Sequence, residues 1–218
     1  MSQNEDYQRA IFSSHLARKG AFKGDVVARL LLSLVARYVS DPCLDVGAGS
    51  GRLLAELKAR GWAAIGLDLC PSSDQIVCGT ITSLPFYSEC FRTVFCCDVL
   101  EHLADQQLEP AVREIERVLM PGGHLIITTP FEEDLRMNMV RCPKCGHQFH
   151  RYGHLQSFSI PRVASLLKAY GLEPVWVKVY ALGAMAKLPL GSYFNWFFKR
   201  LAFESIGKSI VIVAAKAE

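Results

Sequence analysis

The stretch Cys43-Leu44-Asp45-Val46-Gly47-Ala48-Gly49-Ser50-Gly51-Arg52-Leu53-Leu54 is a short apolar run that passes through three alternating glycines into a helical pattern. It reads as strand, tight turn and helix. Glycine at alternate positions removes Cβ where the chain must reverse with unusual φ values, and it lets a ligand lie directly on the main chain. A dinucleotide fingerprint G-x-G-x-x-G would need glycine at position 52, which is Arg52, so a nicotinamide or flavin reading is weakened and another ligand has to be considered.

Outward from this turn the pattern alternates strand and helix, which predicts a mostly parallel sheet. Residues 5–19 and 24–39 have helical spacing; in the second, Val26, Val27, Leu30, Leu31, Leu34 and Val35 recur at intervals of three and four. Together they predict an N-terminal helical cap over residues 1–39. Asp41-Pro42 stops the second helix, because the residue before proline is pushed out of the α region. After a helix over 50–60, residues 63–68 form a second strand ending in Asp68, about twenty residues from the turn, the offset at which a carboxylate meets a ribose in nucleotide-binding α/β folds. Residues 70–79 are too short and turn-rich for a crossover helix, which predicts only a turn or a single helical turn there. A strand over 92–97, a turn over 98–103, a helix over 105–119, the break Pro121-Gly122-Gly123 and an apolar strand over 124–129 follow. A polar stretch over 131–157 interrupts the alternation, which resumes with a helix over 160–170 and strands near 175–180 and 209–215.

With 218 residues, half of them hydrophobic, the chain suits one sizeable α/β domain spanning 1–218. A net charge of +3 without a basic run gives no footprint for nucleic acid, so none is expected as a partner. The polar, acidic N-terminus is unlike a signal peptide and no apolar run approaches membrane-spanning length, which predicts a cytoplasmic protein. Of eight cysteines, Cys43, Cys70, Cys78, Cys90, Cys96 and Cys97 lie in apolar strand-like runs and read as small buried hydrophobes in a reducing compartment.

Four segments in order, Leu44 to Gly51, Gly66-Leu67-Asp68, Leu84-Pro85-Phe86 leading to Asp98-Val99-Leu100-Glu101-His102, and Arg117-Val118-Leu119-Met120-Pro121-Gly122-Gly123, give a resemblance to a known family. Over roughly residues 40–130 the chain resembles the class I S-adenosylmethionine-dependent methyltransferases, particularly the small type typified by ubiquinone and menaquinone methyltransferases. The resemblance implies a three-layer Rossmann-like sheet of about seven strands, mostly parallel with an antiparallel C-terminal strand. It also implies S-adenosyl-L-methionine as cofactor and a small-molecule acceptor, a quinone, sugar or lipid-linked precursor. Gly47, Gly49 and Gly51 would lie against the methionine part, with Asp45 organising the turn and facing the amino group. Asp68, followed by Leu69, would hold the ribose; Thr80 and Ile81 would stand at the adenine, where the family has an acidic residue and its neighbour. Cys97 and Asp98 would border the sulfonium and the acceptor.

Methyl transfer is an in-line displacement that asks mainly for alignment and exclusion of water. Where the acceptor must lose a proton, His102 is the candidate base, the alternative being a packed or capping histidine. A non-catalytic cofactor- or zinc-binding regulatory protein on the same fold is a second reading.

The segment 131–157 contains C-x2-C-x4-H-x3-H, formed by Cys142, Cys145, His150 and His154, with His147 competing for the third place. The spacing can close four ligands on a structural Zn2+ that staples the insertion and shapes part of the acceptor pocket; the alternative is a reduced CxxC pair in a histidine-rich loop. The aromatic residues 193–203 read either as core or dimer contact, or as a lid or membrane-surface helix for a lipid-like acceptor. Oligomeric state is not legible.

Overall fold

The computed structural model describes Arg9, Ser13, residues 23–185 and residues 207–218. The expected helix over 5–19, apart from Arg9 and Ser13, and the aromatic segment 193–203 lie outside the described residues. So does any membrane role drawn from 193–203. Among the described residues no helix is long and apolar enough to cross a membrane.

A helix α1 (Lys23–Val35) precedes β1 (Cys43–Val46), α2 (Arg52–Ala59), β2 (Ala64–Asp68), β3 (Ile76–Cys78) and β4 (Phe91–Cys97). Then come α3 (Asp105–Val118), β5 (Leu119–Pro130), a hairpin of β6 (Met139–Arg141) and β7 (Gln148–His150), α4 (Ile160–Lys168), β8 (Leu172–Tyr180), the short α5 (Leu182–Met185) and β9 (Ser209–Lys216). Seven strands form one sheet in the order β3-β2-β1-β4-β5-β9-β8. Only β9 runs antiparallel to its neighbours. The expected α/β Rossmann-like sheet of seven strands, mostly parallel with an antiparallel C-terminal strand, is therefore what the chain forms.

Alternation along the strands explains the three layers. Leu44, Val94, Cys96, Leu125, Ile127, Ile210 and Ile212 point to one face and pack with Leu108, Val112 and Ile115 of α3 and Val163 and Leu167 of α4. Cys43, Phe95, Ile126, Val211 and Val213 point to the other, against Val27, Leu31 and Val35 of α1 and Leu53 and Leu57 of α2. A strand covered on both faces can be apolar at every position, which is why all four residues of β1 are buried. The expectation of buried cysteines is met at Cys43 and Cys96 but not at Cys78, which is exposed.

Two local readings differ from the structure. Within 70–79 the turns leave room for a short edge strand, β3, paired in parallel with β2 from Gly66↔Ile76 to Asp68↔Cys78. The break at Pro121-Gly122-Gly123 is a bulge inside β5: the register jumps from Phe91↔Leu119 to Thr93↔His124. A Cβ on Gly123 would lie 2.8 Å from the Met120 carbonyl and 2.9 Å from that of Arg92, so glycine is required where β5 crowds β4.

Candidate functional site

The C-terminal ends of β1, β2 and β4 are neighbours, and the glycine turn leaves the first of them. Gly47 and Ala48 donate to the Leu67 carbonyl (2.8 and 3.0 Å), and Gly51 donates to Ala48 (2.7 Å). Gly47, Gly49 and Gly51 have φ of +75°, +52° and +78°. A Cβ on Gly47 would come within 2.4 Å of Val99 Cγ2, so this glycine also admits the turn that follows β4. Arg52, in place of a third fingerprint glycine, begins α2 and pairs with Glu56 one turn on at 3.4 Å.

Asp68 clamps this turn. Its Oδ2 accepts from the Gly49 amide and its Oδ1 from that of Cys70, both at 2.8 Å, and the Ser72 hydroxyl donates to the Gly49 carbonyl at 2.7 Å. Arg9 donates to the Leu69 carbonyl at 2.9 Å. Asp45 is buried, with Oδ2 lacking a hydrogen-bond partner. Burial, and then the Asp68 carboxylate, pushes its pKa up to about 8.

Beyond β3, Thr80 bridges to Ser83, its hydroxyl lies 3.0 Å from that of Thr82, and Ile81 is buried. The Leu84-Pro85-Phe86 segment is tied to α3: Glu114 accepts from the Leu84 amide (2.6 Å), and Arg117 donates to the Leu84 and Phe86 carbonyls (3.0 and 2.8 Å). At the end of β4 the Cys97 thiol is held well above its ordinary pKa by burial. Asp98 sits at φ +53°, a conformation a non-glycine residue keeps only when its surroundings hold it. Its amide donates to the Thr128 carbonyl (2.9 Å) and its Oδ1 accepts from the Thr128 hydroxyl (3.0 Å).

His102 is drawn toward the insertion. Its Nδ1 donates to the Gly153 carbonyl (3.1 Å) and its ring meets the His154 ring edge-on at 4.9 Å. Burial, and then the His154 ring, lowers its pKa to about 4, so it is neutral at pH 7. Glu101, also buried, accepts from the Thr129 hydroxyl (3.2 Å), and its backbone carbonyl accepts from Leu155 and Gln156 (2.7 and 3.1 Å). The turn after β4 and the insertion are thus one assembly.

The four-ligand set suggested by spacing is not brought together among the described residues. Among the described residues, no group of three or more ligand atoms mutually within 4.8 Å contains Cys142 or Cys145, whereas His150 and His154 group with Glu133. The hairpin register is the reason: Met139 faces His150 and Arg141 faces Gln148, so Cys142 and Cys145 occupy the tip while His150 lies at the base. His147 stacks on Phe149 (6.2 Å). Amides of Cys145 and Lys144 directed at the Cys142 sulfur lower its pKa, whereas burial pushes Cys43 up to about 12 and Cys96 higher still. Iodoacetamide on the native chain is expected to modify Cys142 while Cys43 and Cys96 stay unlabelled, as read by peptide mass spectrometry; equal labelling of all three would contradict this burial.

Glu133, Thr128 and Thr129 escaped the sequence reading. No spacing rule marks Glu133, and the threonines resemble ordinary β-branched strand residues. Only the side-by-side ends of β4 and β5 set their hydroxyls on Asp98 and Glu101.

A family model described as a methyltransferase domain matches residues 44–127. The malonyl-[acyl-carrier protein] O-methyltransferase of Herminiimonas arsenicoxydans is 34% identical over 131 residues, 54% of this chain and 49% of that protein. The biotin biosynthesis bifunctional protein BioHC of Cellvibrio japonicus is 30% identical over 144 residues, 61% of this chain and 28% of that protein. The chain thus spans half or less of the length of these curated relatives. In fold it is similar to the Burkholderia thailandensis 1,6-didemethyltoxoflavin-N1-methyltransferase, solved with 1,6-didemethyltoxoflavin and S-adenosylhomocysteine bound: TM-score 0.71, 16% identity, covering 100% of this chain and 92% of that one. Residues 44–127 thus match a methyltransferase-domain model, and the sheet built around them has the Rossmann-like fold of such solved methyltransferases.

Proposed function

We propose that the chain transfers a methyl group from S-adenosylmethionine to a small-molecule acceptor of the quinone, sugar or lipid-linked kind. The observation that carries this reading is the glycine turn, held at three positive φ values against Val99 and clamped by Asp68 at the strand ends where open α/β folds bind ligands. The residues fit the cofactor. Asp45 offers a buried, unpartnered carboxylate oxygen suited to an ammonium group, the turn has no Cβ to obstruct a ligand, and Asp68 is already oriented by two amides for ribose hydroxyls. Ile81, being apolar, leaves main-chain groups to meet adenine.

When bound, the cofactor supplies a methyl group on a positively charged sulfur. Cys97, kept a neutral thiol by burial, would border that sulfur, and Asp98, fixed by Thr128, would stand next to it at the end of β4. Alignment of the acceptor and exclusion of water then supply most of the rate. Calorimetry with S-adenosylmethionine, followed by a panel of acceptors with methyl-labelled cofactor, tests the reading. Absence of binding at millimolar cofactor overturns it. Binding without transfer to any acceptor favours the non-catalytic reading, which the threonine at position 80, in place of the family's adenine carboxylate, also favours.

Asp45 makes binding pH-dependent. Its carboxyl is protonated at pH 7 in the folded chain, with a pKa of about 8. A cationic group beside it favours the carboxylate, so binding below about pH 8 expels a proton. Affinity therefore rises as pH increases toward 8, where the ligand's own amino group, with an ordinary pKa of about 7.7–8.0, begins to lose its charge. Without ligand the sign for stability is opposite: the folded pKa exceeds the unfolded value of about 3.9, so stability falls as pH climbs from 4 to 8. Calorimetry in two buffers of different ionisation enthalpy reads the released proton, and Asp45→Asn is expected to remove it.

A further inference from the structure

We propose that Glu101, His102 and His154 form a binding site for one divalent metal cation where the turn after β4 meets the insertion. This is a different donor set from the cysteine and histidine spacing, and it does not require that the chain methylate anything.

One ligand atom from each of these three residues lies within 4.8 Å of the other two. Glu101 is 1% exposed; its Oε2 accepts from Thr129, and its Oε1 is buried with no hydrogen-bond partner. A buried carboxylate oxygen without a donor is costly unless a cation or proton meets it.

The two imidazoles are prepared in the same way. A carbonyl can only accept, so the contact with Gly153 places the His102 proton on Nδ1 and makes Nε2 the lone-pair nitrogen. The Glu133 carboxylate does the same for His154, whose Nδ1 lies 2.5 Å from Oε2. A metal-bound histidine characteristically donates its other ring N–H to a carboxylate or a backbone carbonyl, and here one of each is present.

The neighbouring group of Glu133, His150 and His154 is the rival site, and tautomers decide against it. His154 donates its backbone amide to His150 Nδ1 at 3.1 Å, so His150 carries its proton on Nε2, which faces Glu133 Oε1 at 3.5 Å. With its Nδ1 lone pair taken by that amide, His150 is left with a buried Nε2–H that makes no hydrogen bond and offers no lone pair to a cation, so it is not a ligand. Asn138 donates to the same carboxylate at 3.0 Å. Glu133 is a support that orients His154.

Two neutral imidazoles and one carboxylate leave a divalent ion with one net positive charge and open coordination positions. Such a nitrogen-rich set suits Zn2+, Fe2+ or Co2+ better than Mg2+ or Ca2+, which prefer oxygen.

The test uses the full chain, stripped with chelator and titrated with Zn2+ by calorimetry and with Co2+ by absorption spectroscopy. One equivalent is expected to bind, with a cobalt spectrum lacking the thiolate charge-transfer band. Glu101→Gln and His154→Gln are each expected to weaken Zn2+ binding by more than about 100-fold, and Glu133→Gln by about 10- to 100-fold. The double variant Cys142→Ser/Cys145→Ser is expected to bind as the natural chain does. Failure of the natural chain to bind Zn2+ or Co2+ overturns the proposal, as does a thiolate band or binding lost with the cysteines and kept in His154→Gln. The cobalt spectrum is read on the natural chain, so a variant that fails to fold does not remove the test.

Discussion

Replacing Gly47 with valine is expected to abolish cofactor binding. Two effects combine. At φ +75° any residue with a Cβ costs roughly 1–2 kcal/mol, and the added carbon would meet Val99 Cγ2 at 2.4 Å, a separation Cβ atoms do not tolerate. Val99 belongs to the turn between Asp98 and Glu101, so relief of the collision moves both cradle and turn. Binding is expected to weaken by more than about 100-fold, which corresponds to roughly 2.7 kcal/mol. Calorimetry measures this, and denaturant unfolding measures the accompanying loss of stability. Gly61→Ala isolates the backbone part: Gly61 has φ +87° with nothing within 4 Å of its added Cβ. It should lose stability by the backbone cost alone and keep its cofactor affinity. Equal effects of the two substitutions would show that the contact with Val99 does not matter.

The second large effect is expected from Phe158→Ala. Phe158 is fully buried in the core shared by α3 and α4, and Arg162 lies over its ring at 4.8 Å. It also closes the insertion. Phe131 and Phe158 form a parallel bridge, and Glu132 donates to the Phe158 carbonyl at 2.8 Å, so the two ends of 131–158 are held together. Truncation of a buried phenylalanine costs about 3–5 kcal/mol through lost burial and the cavity left behind. Denaturant unfolding is expected to show a loss of this size, and hydrogen exchange to show faster opening at Leu155 and Gln156, whose amides hold the insertion to Glu101. A loss below about 1 kcal/mol would mean that the site collapses around the missing ring.

The amino-acid sequence by itself determined the layered α/β fold and the cradle. Alternating β-branched runs and amphipathic helices act over a few residues, and glycine at 47, 49 and 51 allows few other local conformations, so both are legible in a linear pattern. Asp68 was legible for the same reason, because strand and turn lengths set its offset from the turn. Tertiary structure alone decided the partners. Spacing grouped Cys142 and Cys145 with His150 and His154, but the hairpin register carries the cysteines to the tip and leaves the histidines at the base. There they meet Glu133, and His154 meets Glu101 and His102, which precede it by more than fifty residues. Such contacts depend on the order in which strands lie side by side and on the ends of the insertion being pinned at Phe131 and Phe158. A ligand set assembled from separate loops has no period to read, because its distances are set by packing between segments and not by the geometry of any one of them.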